Sequence, residues 1–223
     1  MERIGHRGAK TELPENTIGA FKRAFDRGAD AIELDVHATM DGVVVVHHDP
    51  TLGRGFRKLA GRAIAELDWE TLAVASETAA LRIPTLADVF GIVPGGGTVY
   101  VEIKGSDIEA LVAQVITNAR TRCAVHSFDH DCIARMRELA PAIPRGILID
   151  SADTDVLAAM SRTGARDVWP EWKLIDSGLV ERVHGAGGRV IAWTVNDVTT
   201  AATLVKMGVD GICTDDVRML DAL

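Results

Sequence analysis

Acidic and histidine side chains are concentrated between Ala31 and Asp49, in two stretches of sequence that are otherwise apolar. The two stretches carry Glu33, Asp35, His37, His47, His48 and Asp49. A buried charge costs several kcal/mol unless it is paired or binds a metal, so core strands rarely carry such groups without a function. We therefore take this segment as the candidate active site, with chemistry based on carboxylates and imidazoles.

The dipeptide Asp41-Gly42 separates the two stretches, and between apolar runs it predicts a β-hairpin with a two-residue type I′ turn. In that register Asp35 pairs with His48, and directly paired residues project from the same face. His48 would then share a face with Glu33, whereas His47 would point to the other side. A shift of one residue would reverse this choice, so the preference for His48 depends on the turn.

Composition and charge restrict the class of protein. The chain has 223 residues, of which 47% are hydrophobic, so we expect a single domain over residues 1–223 with an irregular insertion at about 50–85. A net charge of −8 argues against a nucleic-acid partner and against stable membrane association, which favour a basic face. The three cysteines lack a metal-like spacing, and no apolar run reaches about 18 residues. Strand-like residues begin at about Arg3, so we expect no secretory leader. These features predict a cytoplasmic protein, and a homo-oligomer is compatible with them.

Strand-like and helix-like segments alternate along most of the chain, which is typical of βαβ units in a mainly parallel sheet. Apart from the return strand of the hairpin, eight strands are predicted to begin near residues 3, 31, 98, 123, 146, 167, 189 and 211. Eight units in this length predict a (β/α)8 (TIM) barrel. An open doubly wound sheet is the alternative. However, polar residues follow nearly every strand, and only a barrel gathers all its strand ends at one mouth.

Three local predictions concern the connections. Asn16 is predicted to cap a helix that Gly28 closes. In the insertion, a short helix is predicted from Ala65 to about Leu72. Gly95-Gly96-Gly97 precedes a strand rather than a helix, so it is interpreted as a turn and not as a phosphate-binding loop.

A barrel mouth would bring together polar groups from several strands: His6, Arg7, Glu33, Asp35, His48, Glu102 and Lys104. The three carboxylates offer hard oxygen ligands, which suit Mg²⁺ or Ca²⁺ better than zinc. Arg7 and Lys104 can balance the charge of a phosphate. His6 and His48 come from different strands, so they could act as general base and general acid on either side of a phosphorus centre. Trp193, at the end of another strand, is a candidate wall for the substrate.

Structural roles compete with several of these assignments. A single histidine at the end of a strand is more often a hydrogen-bonded structural residue than a catalyst. We expect such a role for five histidines: His37, His47, His126, His130 and His184. Glu33 and Asp35 could instead pair with arginines in the barrel core, although Glu102 on a separate strand favours the metal site. His37 shares the face of the predicted metal ligands, and the sequence leaves its role open.

Taken in order along the chain, these residues resemble the motifs of the glycerophosphodiester phosphodiesterase family. The matching segments are His6-Arg7-Gly8, Pro14-Glu15-Asn16-Thr17, Gly28–Val36, Asp41-Gly42, Val45–Asp49, Ile83–Leu86, Glu102-Ile103-Lys104, Ser127-Phe128, Trp193–Asn196, and Gly208–Gly211 leading to Thr214-Asp215. The resemblance covers essentially the whole chain, and its specificity comes from the ordered set rather than from any one tripeptide. It implies a (β/α)8 barrel that hydrolyses glycerophosphodiesters to glycerol 3-phosphate and an alcohol.

The resemblance also implies roles for individual residues. It gives the acid–base roles to His6 and His48. It gives contacts with phosphate and substrate to Arg7, Lys104 and Trp193. It implies that Glu33, Asp35 and Glu102 bind a divalent metal. It further implies that a neighbouring glycerol hydroxyl is the nucleophile and that water opens the resulting cyclic phosphate, which would explain why no serine or cysteine nucleophile is supplied.

The chain departs from the family pattern after Asp49, where Arg54-Gly55-Phe56 stands in place of an arginine followed by two threonines. The insertion there is short, which predicts an open mouth and small, soluble substrates rather than lipids. A lysophospholipase-D-like or phosphoinositide-cleaving phosphodiesterase is the alternative on the same barrel. A sugar-phosphate lyase or isomerase would need a Schiff-base lysine, for which Lys104 is the only strand-end candidate. A non-catalytic binding barrel would not require the complete set of polar residues.

Overall fold

The computed structural model of the protein describes residues 1–78 and 81–223. Its strands are β1 (Glu2–His6), β2 (Ala31–Ala38), β3 (Val44–Val46), β4 (Thr98–Ile103), β5 (Arg122–Ser127), β6 (Arg145–Ile149), β7 (Asp167–Pro170), β8 (Arg189–Ala192) and β9 (Gly211–Thr214). Its α-helices are α1 (Ile18–Asp26), α2 (Trp69–Thr78), α3 (Leu86–Phe90), α4 (Glu109–Thr117), α5 (His130–Leu139), α6 (Val156–Thr163), α7 (Ser177–Gly185) and α8 (Val198–Met207). Each of the eight predicted strands is present and begins within one residue of its predicted position.

Eight parallel strands close into a barrel. Their order is β1-β2-β4-β5-β6-β7-β8-β9, and β9 pairs back onto β1. Strand β1 pairs with β2 at Gly5–Ile32 and with β9 at Ile4–Cys213, so the sheet closes on itself there. The (β/α)8 prediction is therefore confirmed, and the open-sheet alternative is wrong. The short antiparallel strand β3 pairs with the end of β2, beyond the residues that β1 contacts, and Val45 forms an isolated bridge with Thr85.

The barrel interior holds an apolar cluster of one residue per strand: Ile4, Ala31, Tyr100, Ala124, Leu148, Trp169, Ile191 and Cys213. Strand side chains alternate between two faces, so the residue two positions further along is directed to the same side and lies nearer the carboxyl end. At every strand that residue carries a polar group: His6, Glu33, Glu102, His126, Asp150, Glu171, Trp193 and Asp215. The mouth of the barrel is thus a polar layer lying directly on an apolar one.

A polar network closes the opposite, amino-terminal end of the barrel. Arg189 donates to Glu2 Oε2 at 2.7 Å and lies 3.4 Å from Asp167 Oδ1. The Tyr100 hydroxyl donates to the same oxygen of Glu2 at 2.7 Å. Asp167, which is fully buried, also accepts two hydrogen bonds from Arg166, at 2.8 and 2.6 Å. The charged groups of this barrel floor therefore have charged or polar partners, and none of these groups is left unpaired against the apolar layer.

The β2–β3 hairpin differs from its prediction. Val36 pairs with Val46, which is one residue away from the predicted register. The backbone N–H of Gly42 donates to Thr39 O at 3.0 Å, and Gly42 has φ = +82° while Asp41 keeps a negative φ. A type I′ turn needs positive φ at both central residues, so that prediction is wrong. The chain instead uses a three-residue loop that ends in a left-handed glycine, a conformation that the same dipeptide allows.

The insertion expected at about 50–85 includes residues 79 and 80, which lie outside the described residues. Its described part packs around a separate apolar cluster that includes Leu52, Phe56, Ile64 and Leu72. The helix predicted from Ala65 to Leu72 is wrong in its limits, since a short 3₁₀ turn comes first and α2 begins at Trp69. Asp68 explains the boundary, because its side chain accepts a hydrogen bond from Thr71 N at 2.7 Å and so caps the helix.

The floor network yields a stability prediction. The substitution Arg189→Met should lower the free energy of unfolding by about 2 kcal/mol, because Glu2 and Tyr100 lose a charged partner while partly shielded from water. Arg62→Met is the matched control, since the Arg62–Glu66 pair is largely exposed and should contribute less than about 0.5 kcal/mol. Urea denaturation of both variants measures the difference. Equal losses would show that the floor network does not hold the barrel closed.

Candidate active site

Two carboxylates of β2, Glu33 and Asp35, lie at the mouth with only 3% and 0% of their surface exposed. Asp35 has three polar neighbours: Arg7 Nε lies 3.1 Å from Oδ2, Lys104 Nζ lies 3.7 Å from Oδ1, and Asn16 Nδ2 donates to Oδ2 at 2.8 Å. Burial acts to raise the pKa of Asp35, but these neighbours outweigh it and hold the pKa below its usual value. Asp35 is therefore a fixed anion that connects the segments following β1 and β4.

Asn16 is a site residue that the sequence pattern did not identify. It was predicted to cap α1, but the cap is Thr17, whose Oγ1 accepts from Ala20 N at 3.2 Å. Asn16 instead adopts φ = +57°, a left-handed conformation that asparagine tolerates better than most residues, and its buried side chain reaches Asp35. The available signal was two good capping residues in succession, of which a helix can use only one.

Glu33, Glu102 and His126 form a cluster in which one donor atom from each side chain lies within 4.8 Å of the others. Burial, followed by the charge of neighbouring carboxylates, raises the pKa of Glu33 and of Glu102 to about 7. Burial lowers the pKa of His126 to about 4, so its imidazole is neutral at pH 7. The sequence favoured a structural role for His126. The missed signal was its register, since it is the Cα partner of Glu102 across β4 and β5.

This set of donors fits a divalent cation. His126 Nε2 lies 3.8 Å from Glu33 Oε1, and Asp35 Oδ1 is buried without a hydrogen-bond partner. Carboxylate oxygens are the ligands that Mg²⁺ and Ca²⁺ prefer, and an imidazole nitrogen extends the range of divalent ions the set can accept. Of the predicted ligands, Glu33 and Glu102 belong to the cluster, whereas Asp35 lies two residues further along β2 and outside it among the described residues.

His6 and Arg7 stand at the carboxyl end of β1. His6 Nε2 lies 4.0 Å from Glu33 Oε2, and His6 Nδ1 lies 2.6 Å from Asp215 Oδ1. The backbone N–H of Arg7 donates to Glu33 Oε2 at 3.1 Å, while its guanidinium reaches Asp35. Arg7 has φ = +56°, so the chain turns sharply at this point. Both residues therefore contact the carboxylates of β2, one through its ring and the other through backbone and side chain.

His48 reaches the mouth, although not through the predicted pairing with Asp35, which is wrong. The backbone N–H of His47 donates to Asp35 O at 3.0 Å, and β3 has ended one residue earlier. The chain then leaves the strand, and His48 Nε2 lies 3.2 Å from Lys104 Nζ. The His47 ring packs edge-on against Phe56, with 6.1 Å between ring centroids. The end of the strand, rather than strand alternation, separates the environments of the two histidines.

His37 supports the segment that carries His48. Its Nε2 lies 3.1 Å from the carbonyl oxygen of His48. Burial lowers the pKa of His37, so the ring is neutral at pH 7 and donates one N–H to that carbonyl. His37 therefore lies behind the mouth and holds the backbone of His48 in place.

Trp193 forms one side of the mouth together with Phe128. Their ring centroids are 5.4 Å apart with the planes 80° to each other. The Trp193 indole N–H donates to Trp169 O at 2.8 Å, which fixes the orientation of the ring. Phe128, which follows β5 in the sequence, is 42% exposed. An aromatic surface of this kind suits the apolar part of a small ligand.

The mouth therefore combines an acidic cluster suited to a cation, two imidazoles from different segments, and the cationic side chains of Arg7 and Lys104. This combination suits a ligand that is anionic and whose reaction moves protons.

No helix among the described residues is long and apolar enough to cross a membrane.

Known proteins resemble the chain over nearly its whole length. A sequence model of the Glycerophosphoryl diester phosphodiesterase family matches residues 6–219. A glycerophosphodiester phosphodiesterase of Caldanaerobacter subterraneus subsp. tengcongensis is 36% identical, over 97% of this chain and 95% of the relative. A probable glycerophosphodiester phosphodiesterase 2 of Mycobacterium tuberculosis is 34% identical, over 97% of this chain and 88% of the relative.

Solved structures share the same barrel. A glycerophosphodiester phosphodiesterase from Thermotoga maritima superposes with a TM-score of 0.86 at 25% identity, covering 100% of this chain and 98% of its own. An Oleispira antarctica phosphodiesterase, solved in complex with the product sn-glycerol-3-phosphate, superposes with a TM-score of 0.88 at 22% identity, covering 100% of this chain and 96% of its own. At that identity the second likeness concerns the fold alone. The family match over most of the chain and the two relatives above 30% identity lead to one conclusion: the chain belongs to the glycerophosphoryl diester phosphodiesterase family.

Proposed function

We propose that the protein hydrolyses glycerophosphodiesters to glycerol 3-phosphate and an alcohol, with a divalent metal and with His6 and His48 as the general acid–base pair. The observation that carries the proposal is the position of the two imidazoles. His6 lies 4.0 Å from Glu33, a member of the acidic cluster, and His48 lies 3.2 Å from Lys104. The family membership supplies the substrate class.

The metal is assigned to Glu33, Asp35 and Glu102, with His126 as an additional donor. When bound there, a divalent cation, either Mg²⁺ or Ca²⁺, would supply positive charge that offsets the charge of the phosphate. Asp35 lies outside the cluster and is included because its Oδ1 is buried without a hydrogen-bond partner. Glu33 and Asp35 therefore contribute unequally to the binding of the metal.

The phosphate is bound by Arg7 and Lys104, and Trp193 faces the substrate. Arg7 is already oriented by Glu15, to which its guanidinium donates at 2.9 Å, and by Asp35. A guanidinium held in this way can present its remaining N–H groups to a phosphate without losing much side-chain freedom. Lys104 Nζ lies 3.5 Å from Glu102 Oε1 and 3.2 Å from His48 Nε2, so its charge reaches both the acidic cluster and the second imidazole.

The chemistry proposed is an in-line attack by the neighbouring glycerol hydroxyl on phosphorus. One histidine accepts the hydroxyl proton as the new P–O bond forms, and the other donates a proton to the alcohol oxygen as its P–O bond breaks. Water then opens the cyclic phosphate by the reverse exchange of protons. The side chains available agree with this route, because the three cysteines are buried and the Ser127 hydroxyl is committed to Ile103 O at 2.7 Å.

The first test is a release assay for glycerol 3-phosphate. We expect turnover of glycerophosphocholine in detergent-free buffer, loss of turnover in EDTA, and recovery with Mg²⁺ or Ca²⁺. The reason is that the metal would offset the negative charge of the reacting phosphate. Turnover that persists in EDTA would contradict the metal requirement. Activity restricted to lysolipid or to phosphoinositide would favour the alternative phosphodiesterases on this barrel.

The second test addresses the acid–base pair. Either His6→Ala or His48→Ala should lower kcat by at least about 100-fold, the scale of lost general acid–base catalysis. His184→Ala is the control, because His184 binds Asp210 on the surface and lies on α7, away from the mouth. If both mouth variants keep wild-type rates and remain folded, the assignment of the two histidines is wrong.

The third test asks which side chains hold the cation. Titration calorimetry with Mg²⁺ or Ca²⁺ should show affinity weakened at least about tenfold in Glu102→Gln and in His126→Ala, since even indirect partners of metal ligands contribute that much. Glu171→Gln is the control, because this acid follows β7 at the same level but pairs with Lys173 at 2.7 Å. Unchanged affinity in His126→Ala would remove the imidazole from the set.

A further inference from the structure

Asp215 is the residue that contacts His6 most closely in the described part of the mouth. It follows β9, two residues after Cys213 of the apolar layer, so strand alternation directs it into the mouth. Its Oδ1 lies 2.6 Å from His6 Nδ1, which is a short hydrogen bond. Asp215 appears in the family-like Thr214-Asp215 motif, but neither the sequence pattern nor the proposed function gives it a role.

Asp215 is itself held on three sides. Asn196 Nδ2 donates to its Oδ2 at 2.7 Å, while Asn196 Oδ1 accepts from the Asp215 backbone N–H at 3.0 Å. Thr214 Oγ1 also donates to Asn196 Oδ1, at 3.2 Å, which fixes the orientation of the amide. Lys10 Nζ lies 3.1 Å from Asp215 Oδ1. A carboxylate with this many partners has little freedom to leave His6.

The protonation state of the pair follows from these contacts. Burial acts to raise the pKa of Asp215, but the His6 hydrogen bond and Lys10 outweigh it and lower the pKa to about 2. An ionised carboxylate can only accept, so the bridging proton belongs to His6 Nδ1. In neutral His6 the lone pair is then on Nε2, the nitrogen that lies nearest Glu33.

The two histidines of the mouth differ in this support. His48 Nδ1 also meets an aspartate, Asp49, at 2.8 Å, but the Asp49 side chain is 64% exposed against 20% for Asp215. Asp49 is also the next residue in the chain, so it constrains His48 only locally. Asp215 comes from a different strand and joins β9 to β1. A rigid, shielded carboxylate orients an imidazole more strongly than an exposed one does.

We propose that Asp215, held by Asn196 and Lys10, is a positioning residue that fixes the orientation and the Nδ1–H tautomer of His6 and so presents His6 Nε2 to the substrate. This inference rests on the proposed function, in which His6 is one of the acid–base pair. Asp215 does not gain or lose a proton in the reaction. It stabilises the imidazolium when His6 carries a second proton.

Kinetics provide the first arm of the test. Asp215→Asn should lower kcat at least about 100-fold, since an amide can donate to Nδ1 and so favour the wrong tautomer. KM should stay within about threefold, because the residue does not touch the substrate. Asp215→Glu should recover at least about tenfold of the loss by restoring the charge. Asp216→Asn is the control, because the Asp216 side chain binds Arg218 and does not contact His6 in the described part of the chain, and it should keep the wild-type rate.

Nitrogen-15 NMR of histidine-labelled protein provides the second arm. The His6 resonances of the wild type should report a protonated Nδ1, and those of Asp215→Asn should move toward a protonated Nε2. A fall in kcat with an unchanged tautomer would overturn the proposal, and so would a shifted tautomer with an unchanged kcat. Asn196→Ala should change both readouts in the same direction, and no change in either would overturn the part assigned to Asn196.

Thermal denaturation accompanies both arms, so that a folded variant is compared with a folded wild type. Should the wild-type chain release no glycerol 3-phosphate, the proposed function fails. The NMR comparison still decides whether Asp215 sets the tautomer of His6, and an unchanged spectrum there would overturn the positioning role independently of the substrate.

Discussion

The burial of two carboxylates, two residues apart on one strand, is the constraint on which the mouth depends. Glu33 and Asp35 lie almost wholly out of contact with water, where an unpaired charge is costly. The protein meets this cost in two ways. Asp35 is kept ionised by Arg7 and its other polar neighbours. Glu33 instead lies beside Glu102 and His126, where the pKa of each glutamate is raised and the pKa of the histidine is lowered. Strand β2 thus carries Asp35, an anion that organises the surrounding segments, and Glu33, whose carboxylate is available as a ligand for a cation.

The apolar layer beneath the mouth produces these electrostatic properties. The His126 ring stacks on Trp169, with ring centroids 4.4 Å apart and planes 29° to each other. Trp169 in turn meets Tyr100 edge-on, and the Tyr100 hydroxyl belongs to the floor network. Trp169, Tyr100 and His126 are each 1% exposed, so this packing shields the polar layer from water. The resulting desolvation raises the pKa of Glu102 and lowers that of His126. Core packing and site chemistry share the same side chains.

The two candidate acid–base histidines reach the mouth by different structural means. His6 stands at the end of a barrel strand and is bound by a shielded aspartate from β9. His48 lies beyond the end of β3, with its carbonyl held by His37 and its ring beside Lys104. The family resemblance treats them as a pair, yet only one of them is built into the closed sheet. This difference is why His6 can have its tautomer set by a distant residue.

The sequence by itself determined the number and positions of the strands, the barrel, and the presence of His6, Glu33 and Glu102 at strand ends of one mouth. These follow from local properties: alternation along a strand, the length of helical segments, and the polar residue at each strand end. It did not determine the turn, because Asp41-Gly42 is compatible with two hairpin loops of different length. Nor could it assign Asn16, His126 or Asp215, whose roles depend on side chains that other segments bring beside them; Asp215 and His6 are 209 positions apart. Only the tertiary structure decides such contacts, because closing the sheet between β9 and β1 brings the two ends of the chain to one mouth.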